Sequence, residues 1–202
     1  MAGAKATGRR ALRGRWSGAV AAALALSACA GRDYKPVTDH PVKIGSAYTV
    51  RGKTYVPHVD PEYDVLGYAS WYGNESGDMT ANGEKFRPDW VTAAHKTLPL
   101  PTYAEVTDLD TGKSIIVRIN DRGPFARGRI LDLSKGAARE LGILDKGYAP
   151  VRVRRVEPSA KDRERLRDGD RAKEPPRISP RVLANLRAQL AAGVRAGIVE
   201  AP

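Results

Sequence analysis

The 202-residue chain holds one cysteine, Cys29, so an internal disulfide is impossible. It holds three histidines, His40, His58 and His95, and neither they nor Cys29 show the spacing of a metal site. No glycine-rich phosphate loop precedes a helix signal. A serine nucleophile would lack its Gly-x-Ser-x-Gly elbow. No apolar run reaches the ~20 residues that a membrane-spanning helix needs. No metal and no cofactor are therefore expected, and carboxylates are left as the groups able to do chemistry. Hydrophobic residues make up 42% of the chain, enough for one core of ordinary domain size.

The formal charge of +11 suggests a polyanionic partner until its distribution is read. Five basic residues, Lys5, Arg9, Arg10, Arg13 and Arg15, precede Val20 with no acid among them. Without them, 29 basic residues face 23 acidic ones, a mild excess that does not point to nucleic acid. The cationic stretch leads into a short apolar run, Gly18 to Ala28, and then Cys29. That order fits a secretory signal over residues 1–28. Its end, Leu26-Ser27-Ala28-Cys29, resembles a bacterial lipobox, which implies cleavage before Cys29 and acylation of that residue. Several acyl chains give stable anchoring, at about 0.8 kcal/mol per buried methylene. Ala30 follows where an aspartate would imply retention at the inner membrane. The resemblance therefore implies an outer-membrane lipoprotein facing the periplasm of a Gram-negative bacterium.

Residues 29–66 read as a tether carrying one hairpin, Tyr48–Val50 and Lys53–Val56 around Arg51-Gly52. Residues 67–156 read as the body, with strands at 68–72, 103–109, 113–120, 129–133 and 150–156. Asp110-Thr111-Gly112 is a hairpin signal between two of them. One short helix is expected at 135–141, between an N-cap at Ser134 and a stop at Gly142. The expected fold is mainly β, a small barrel with one or two short helices. Residues 157–202 read as a solvated mixed-charge linker followed by a helix. Ser179 caps that helix, Pro180 opens it, and Leu183, Leu186, Leu190 and Val194 form one face expected to pack on its own domain.

Two segments carry the chemistry. The first runs Ala69-Ser-Trp-Tyr-Gly73, Thr80-Ala-Asn-Gly-Glu84 and Thr92-Ala-Ala-His-Lys-Thr-Leu-Pro-Leu-Pro101; the second centres on Asn120-Asp-Arg-Gly-Pro-Phe125. Glu84 sits beside an Asn-Gly turn and Asp121 at the end of an apolar strand, positions from which carboxylates line clefts. His95 lies between them in sequence. Trp71 and Tyr72 must face opposite sides of a strand, with Trp71 taken as core and Tyr72 as the ring that meets a ligand. Arg118 and Arg122 are expected to face either a ligand or solvent. Two carboxylates with aromatic neighbours suit a carbohydrate polymer, through acid/base chemistry on a glycosidic bond.

These strings, in this order, closely resemble the rare lipoprotein A family over roughly residues 67–156. The resemblance implies a six-stranded double-psi β-barrel and lytic cleavage of peptidoglycan glycan strands, especially strands without stem peptides. It maps the family's important acids and histidine onto Glu84, His95 and Asp121, with Tyr72, Asn82, Asn120 and Arg122 as substrate-binding candidates. In the implied chemistry, Asp121 protonates the glycosidic oxygen and then acts as base, and burial raises its pKa. Glu84 stabilises developing positive charge or positions the sugar, and His95 orients a carboxylate; Glu84 and Asp121 are interchangeable at this stage. Arg122 is expected to point away from Asp121. Two departures stand out. The loop Asn74–Met79 replaces a Phe-His-Gly segment common in relatives, and the 46 residues after Val156 do not read as the septal peptidoglycan-binding domain that many relatives carry. A two-carboxylate hydrolase and a non-catalytic, expansin-like wall-binding module remain as alternatives. Protein partners are not legible.

Overall fold

The computed structural model describes Gly3 and residues 33–73 and 77–202. The expected signal segment 1–28 (Gly3 aside), the acylation position Cys29 and residues 74–76 of the altered loop lie outside the described residues.

The tether hairpin forms as β1 (Tyr48–Val50) and β2 (Lys53–Tyr55), paired antiparallel. Its turn places Arg51 and Gly52 at φ 50° and 78°, the doubly left-handed turn whose twist suits a two-residue hairpin. Six further strands follow: β3 (Asp64–Tyr72), β4 (Thr92–His95), β5 (Thr102–Asp108), β6 (Ser114–Asp121), β7 (Leu131–Ser134) and β8 (Tyr148–Arg155). They close into one barrel in the order β3-β7-β4-β6-β5-β8. The pairs β3·β7 and β4·β6 are parallel, and the other four are antiparallel. The expected six-stranded barrel is present.

Alternation along the strands fills its interior. Ala69, Ala93, Val106, Val117, Ile119, Leu131, Leu133, Val151 and Val153 are fully buried in one cluster. β4 is absent from the strands expected from sequence, because Thr-Ala-Ala-His has little intrinsic strand preference. Its pairing with β6 and β7 on its two sides supplies what local propensity does not.

α1 (Lys135–Leu141) has the expected ends: Ser134 Oγ accepts from Ala137 N, and Gly142 adopts φ 90°. The charged run after Glu157 departs from expectation. Part of it is a helix, α2 (Ala160–Arg167), capped by Ser159 and anchored by Leu166, which is fully buried in the barrel core. One leucine in a mixed-charge run gives no periodic signal, so a solvated linker was the natural reading. α3 (Pro180–Arg195) lays Leu186 and Leu190 against Leu109 at the tip of the β5–β6 hairpin, so its apolar stripe packs on its own domain as expected.

α1 seats on the 88–90 loop through Gly136, whose N–H donates to Pro88 O at 2.8 Å. A Cβ at Gly136 would lie 2.1 Å from Asp89 O and 2.8 Å from Trp90 O. Backbone cannot yield as a flexible side chain can. Gly136→Ala is therefore expected to cost at least about 2 kcal/mol, read as a lower denaturation midpoint at unchanged m-value.

Candidate active site

Strand alternation first sorts the side chains by face. Leu131 and Leu133 point into the barrel, so Asp132 between them points out. On β4, Ala93 points in and Ala94 out. On β6, Val117 and Ile119 point in, and strict alternation would send Asp121 in after them. A register shift prevents this: Ala93 pairs with Ile119, but Ala94 pairs with Asp121, leaving Asn120 as an extra residue. Such an irregularity re-aims the side chains that follow it. Ala94 also pairs with Asp132, and Asp132 with Ser70. A row therefore crosses four strands on the outer face: Ser70, Asp132, Ala94, Asp121. The two carboxylate residues sit on either side of Ala94, two strand spacings (about 10 Å) apart across the sheet.

A cleft of about 280 Å³ opens over this row, lined by Tyr72, Met79, Ala94, Asp121, Arg122, Gly123, Pro124, Phe125 and Asp132. Asp121 is half-buried in it. Its Oδ1 accepts from the backbone N–H groups of Ala81 and Arg122, each at 2.8 Å. Its Oδ2 has no hydrogen-bond partner among the described residues. Burial pushes the Asp121 carboxyl above the usual range, against the two backbone donors and the Arg122 charge. Tyr72 faces the same cleft, and its ring lies 5.3 Å from that of Phe86. Its buried Oη has no partner among the described residues. Trp71 packs against the core and donates to Leu144 O.

The structure does not place Glu84 in this cleft. It is 1% exposed and lies beneath the surface. Arg118 Nη1 and Nη2 grip its two carboxylate oxygens, each at 2.7 Å, while Asn82 Nδ2 donates at 2.8 Å and Asn120 Nδ2 at 2.9 Å. The expectation that Glu84, Asn82 and Asn120 face substrate is corrected accordingly, since they are one another's partners. Arg118 faces neither glycan nor solvent; it is fully buried and also donates to Thr38 O. The same network shapes the site, because Asn82 N donates to Asn120 O and the next residue back, Ala81, holds Asp121.

His95 is also corrected as an orienter of carboxylates. Its Nδ1 accepts from the N–H groups of Thr97 and Leu98, so Nε2 carries the proton toward Tyr63 Oη at 2.9 Å. Burial, then the charges of Arg122 and Lys96, lower its pKa to about 3. It is a neutral ring holding the turn after β4. Arg122 borders the cleft but points away from Asp121, as expected: its guanidinium donates to the carbonyls of His95, Leu98 and Ile44.

Sequence reasoning missed Asp132. Burial raises its pKa to about 6, and Arg129 and Lys96 oppose the rise. Oδ2 pairs with Arg129 Nη2 at 3.2 Å, whereas Oδ1 is buried without a partner. An aspartate alternating with leucines in a strand, Leu131-Asp132-Leu133, was the available signal. A larger cavity of about 540 Å³ lies between the tether, the 99–103 segment and α2. Two of its three acids, Asp39 and Glu157, are already tied to Arg167 and Arg155.

The buried ion pair gives a sharp expectation. Glu84→Ala removes the bidentate partner of a buried Arg118 and leaves it only Asp39 at 3.6 Å, which is expected to cost about 3–5 kcal/mol. Chemical denaturation should show that loss. A change below about 1 kcal/mol would mean that the pair is not the anchor described.

Residues 64–153 match the family described as lytic transglycolase. The chain is 55% identical over 113 residues to the "endolytic peptidoglycan transglycosylase RlpA" of Pseudomonas aeruginosa, a stretch covering 55% of this chain and 33% of that protein. It is 45% identical over 115 residues to the protein of the same name from Rickettsia felis, covering 55% of this chain and 50% of that one. The chain thus spans a third to a half of the length of these relatives. Among solved structures, a Streptomyces papain inhibitor matches half of this chain and all of its own at 20% identity and a TM-score of 0.42. Closed six-stranded topology and sequence identity agree: the chain forms a double-psi β-barrel that is similar, over residues 64–153, to the lytic transglycolase family and to the relatives named RlpA.

Proposed function

We propose that the protein is an endolytic peptidoglycan lytic transglycosylase. It cuts between N-acetylmuramic acid and N-acetylglucosamine, leaves 1,6-anhydro ends and prefers strands without stem peptides. One observation carries the reading. Asp121 is a half-buried carboxylate fixed by two backbone donors on one oxygen, with its other oxygen free of any described partner, in a cleft on a barrel closely related to named transglycosylases.

The reaction needs no added water. The glycosidic oxygen must gain a proton as it leaves, and the muramic 6-hydroxyl must lose one as it attacks its own anomeric carbon. Because that nucleophile is already attached to the reacting sugar, little entropy is lost in bringing it up. Asp121 takes part in this proton traffic, and burial raises its carboxyl above the usual range. Tyr72 and Phe125 offer ring surface to sugar at the cleft wall. Glu84 and His95 act as positioning residues: Glu84 through Asn82 and Asn120, His95 through the turn that Arg122 also grips.

The lipobox-like string ending at Cys29 supports anchoring by acylation in the outer membrane, facing the periplasm. Cells fed labelled palmitate are expected to label the protein, and Cys29→Ala to abolish the label.

Mass spectrometry of digested, peptide-free glycan tests the activity. Anhydromuramic ends are expected. Reducing ends would make the protein a hydrolase, and binding without cleavage would make it an expansin-like module. Asp121→Asn should lower product release at least ~100-fold without lowering the denaturation midpoint; near-full activity would remove Asp121 from the chemistry.

A further inference from the structure

We propose that Asp132 is a second catalytic residue of this cleft, the proton donor to the leaving oxygen, and that Asp121 serves as the base. The inference rests on the transglycosylase reading and divides its proton transfers between two groups.

Geometry carries it. Asp132 and Asp121 pair with the same residue, Ala94, from opposite sides, so both emerge on one face of the barrel and both line one cleft. A residue as small as alanine between them leaves the space over the row open to a sugar ring. The two carboxyls are held in contrasting ways. Asp121 Oδ1 accepts two backbone N–H groups, a setting that favours the ionised form and fixes its orientation. Asp132 sits 8% exposed with Oδ1 buried and unpartnered, a setting that favours the protonated form.

The groups facing Asp132 come from every neighbouring element. Arg129 precedes β7 and pairs with Oδ2, Lys96 follows β4, Tyr72 ends β3, and Asp121 stands across Ala94 on β6. Lys96 is itself turned toward Arg129 O. Both cations favour the ionised carboxyl, and burial outweighs them, leaving Asp132 at about 6. Burial raises both carboxyls, but only Asp121 has backbone donors that oppose the rise, and that difference in hydrogen bonding separates the base from the acid.

The step balances. The Asp132 carboxyl gives its proton to the glycosidic oxygen as the C1–O bond breaks and that oxygen keeps the electron pair. The muramic O6 forms the new bond to C1, and its proton passes to the Asp121 carboxylate. Asp132 ends ionised and Asp121 protonated, and exchange with water restores both.

The experiment compares wild type, Asp132→Asn, Asp132→Glu and Asp121→Asn on two substrates. One is peptide-free glycan. The other is a muramic acid glycoside bearing a dinitrophenyl leaving group, which departs without protonation. On glycan, Asp132→Asn should lose at least ~100-fold while still sedimenting with glycan. On the activated glycoside it should recover to within ~10-fold of wild type, whereas Asp121→Asn should not recover. Wild-type activity on glycan should fall as pH rises through about 6, since the proton donor is then ionised. Asp132→Glu should restore part of the activity and move that limb. If wild type yields anhydro ends and Asp132→Asn does so at near-wild-type rate, the assignment of Asp132 falls while the transglycosylase reading stands. If Asp132→Asn is equally impaired on both substrates, Asp132 is structural. If wild type releases no anhydro ends, both readings fall together.

Discussion

The buried grip of Arg118 on Glu84 is the constraint on which the rest of the site depends. Two opposite charges at 1% exposure are costly to desolvate, and they persist because nearly every polar atom around them is paired. Two guanidinium donors and two asparagine amides satisfy one carboxylate. Those four bonds join the 80–84 turn to β6, and two further contacts of Arg118, to Thr38 O and Asp39, bring in the tether. Asp39 extends the network to Tyr103 and to Arg167 of α2. The tether, the barrel and the helix of the charged run thus share one polar anchor. Its most consequential member is Asn120. That residue is the extra one in the β6 register, so whatever holds it decides which way Asp121 points.

Function on this barrel is therefore an outer-face property set by a single irregularity. Without the shift, Asp121 would follow Val117 and Ile119 into an apolar interior, where a carboxyl has neither partner nor purpose. With the shift, it joins Ala94 and Asp132 in one row under one cleft. The cost of distorting β6 is met by the network beneath, not by contacts in the cleft. That separation lets the cleft keep a free carboxylate oxygen while the layer below carries the ion pair and its amide donors.

Much of this was legible in the sequence, and the gaps have identifiable causes. Five of the six barrel strands, the cap and stop of α1 and the stripe of α3 all follow from short-range patterns: alternation, Ser134, Gly142, and leucines at helical spacing. β4 and α2 did not follow. Thr-Ala-Ala-His has no strand preference of its own, and α2 offers a single buried residue, Leu166, among charges. Asp121 was found because it stands in a recognisable string. Glu84 was found too, but its burial could not be read from Asn-Gly-Glu, because the Arg118 that seals it arrives 34 residues later. His95 read as an orienter of acids, and only the turn folding back on its Nδ1 shows that ring to be a neutral brace. Asp132 was hidden by its neighbours, since a lone aspartate among core leucines marks a face only once the strand is known to be half of a barrel wall.

The distribution of unmet polar groups gives an independent view of the same site. Among the described residues, the buried side-chain atoms lacking a hydrogen-bond partner are Tyr72 Oη, Arg118 Nε, Asn120 Oδ1, Arg129 Nε and Asp132 Oδ1. Such atoms are rare in folded proteins because each forfeits its hydration without return. Here they are not scattered. Tyr72 and Asp132 line the cleft, Arg129 pairs with Asp132, and Asn120 and Arg118 belong to the layer that supports Asp121. Of the five, Tyr72 Oη and Asp132 Oδ1 belong to side chains that line the cleft, the place where a polar guest would meet them. A glycan, rich in hydroxyl and amide groups, can answer donors and acceptors alike. An apolar ligand would leave those two unanswered.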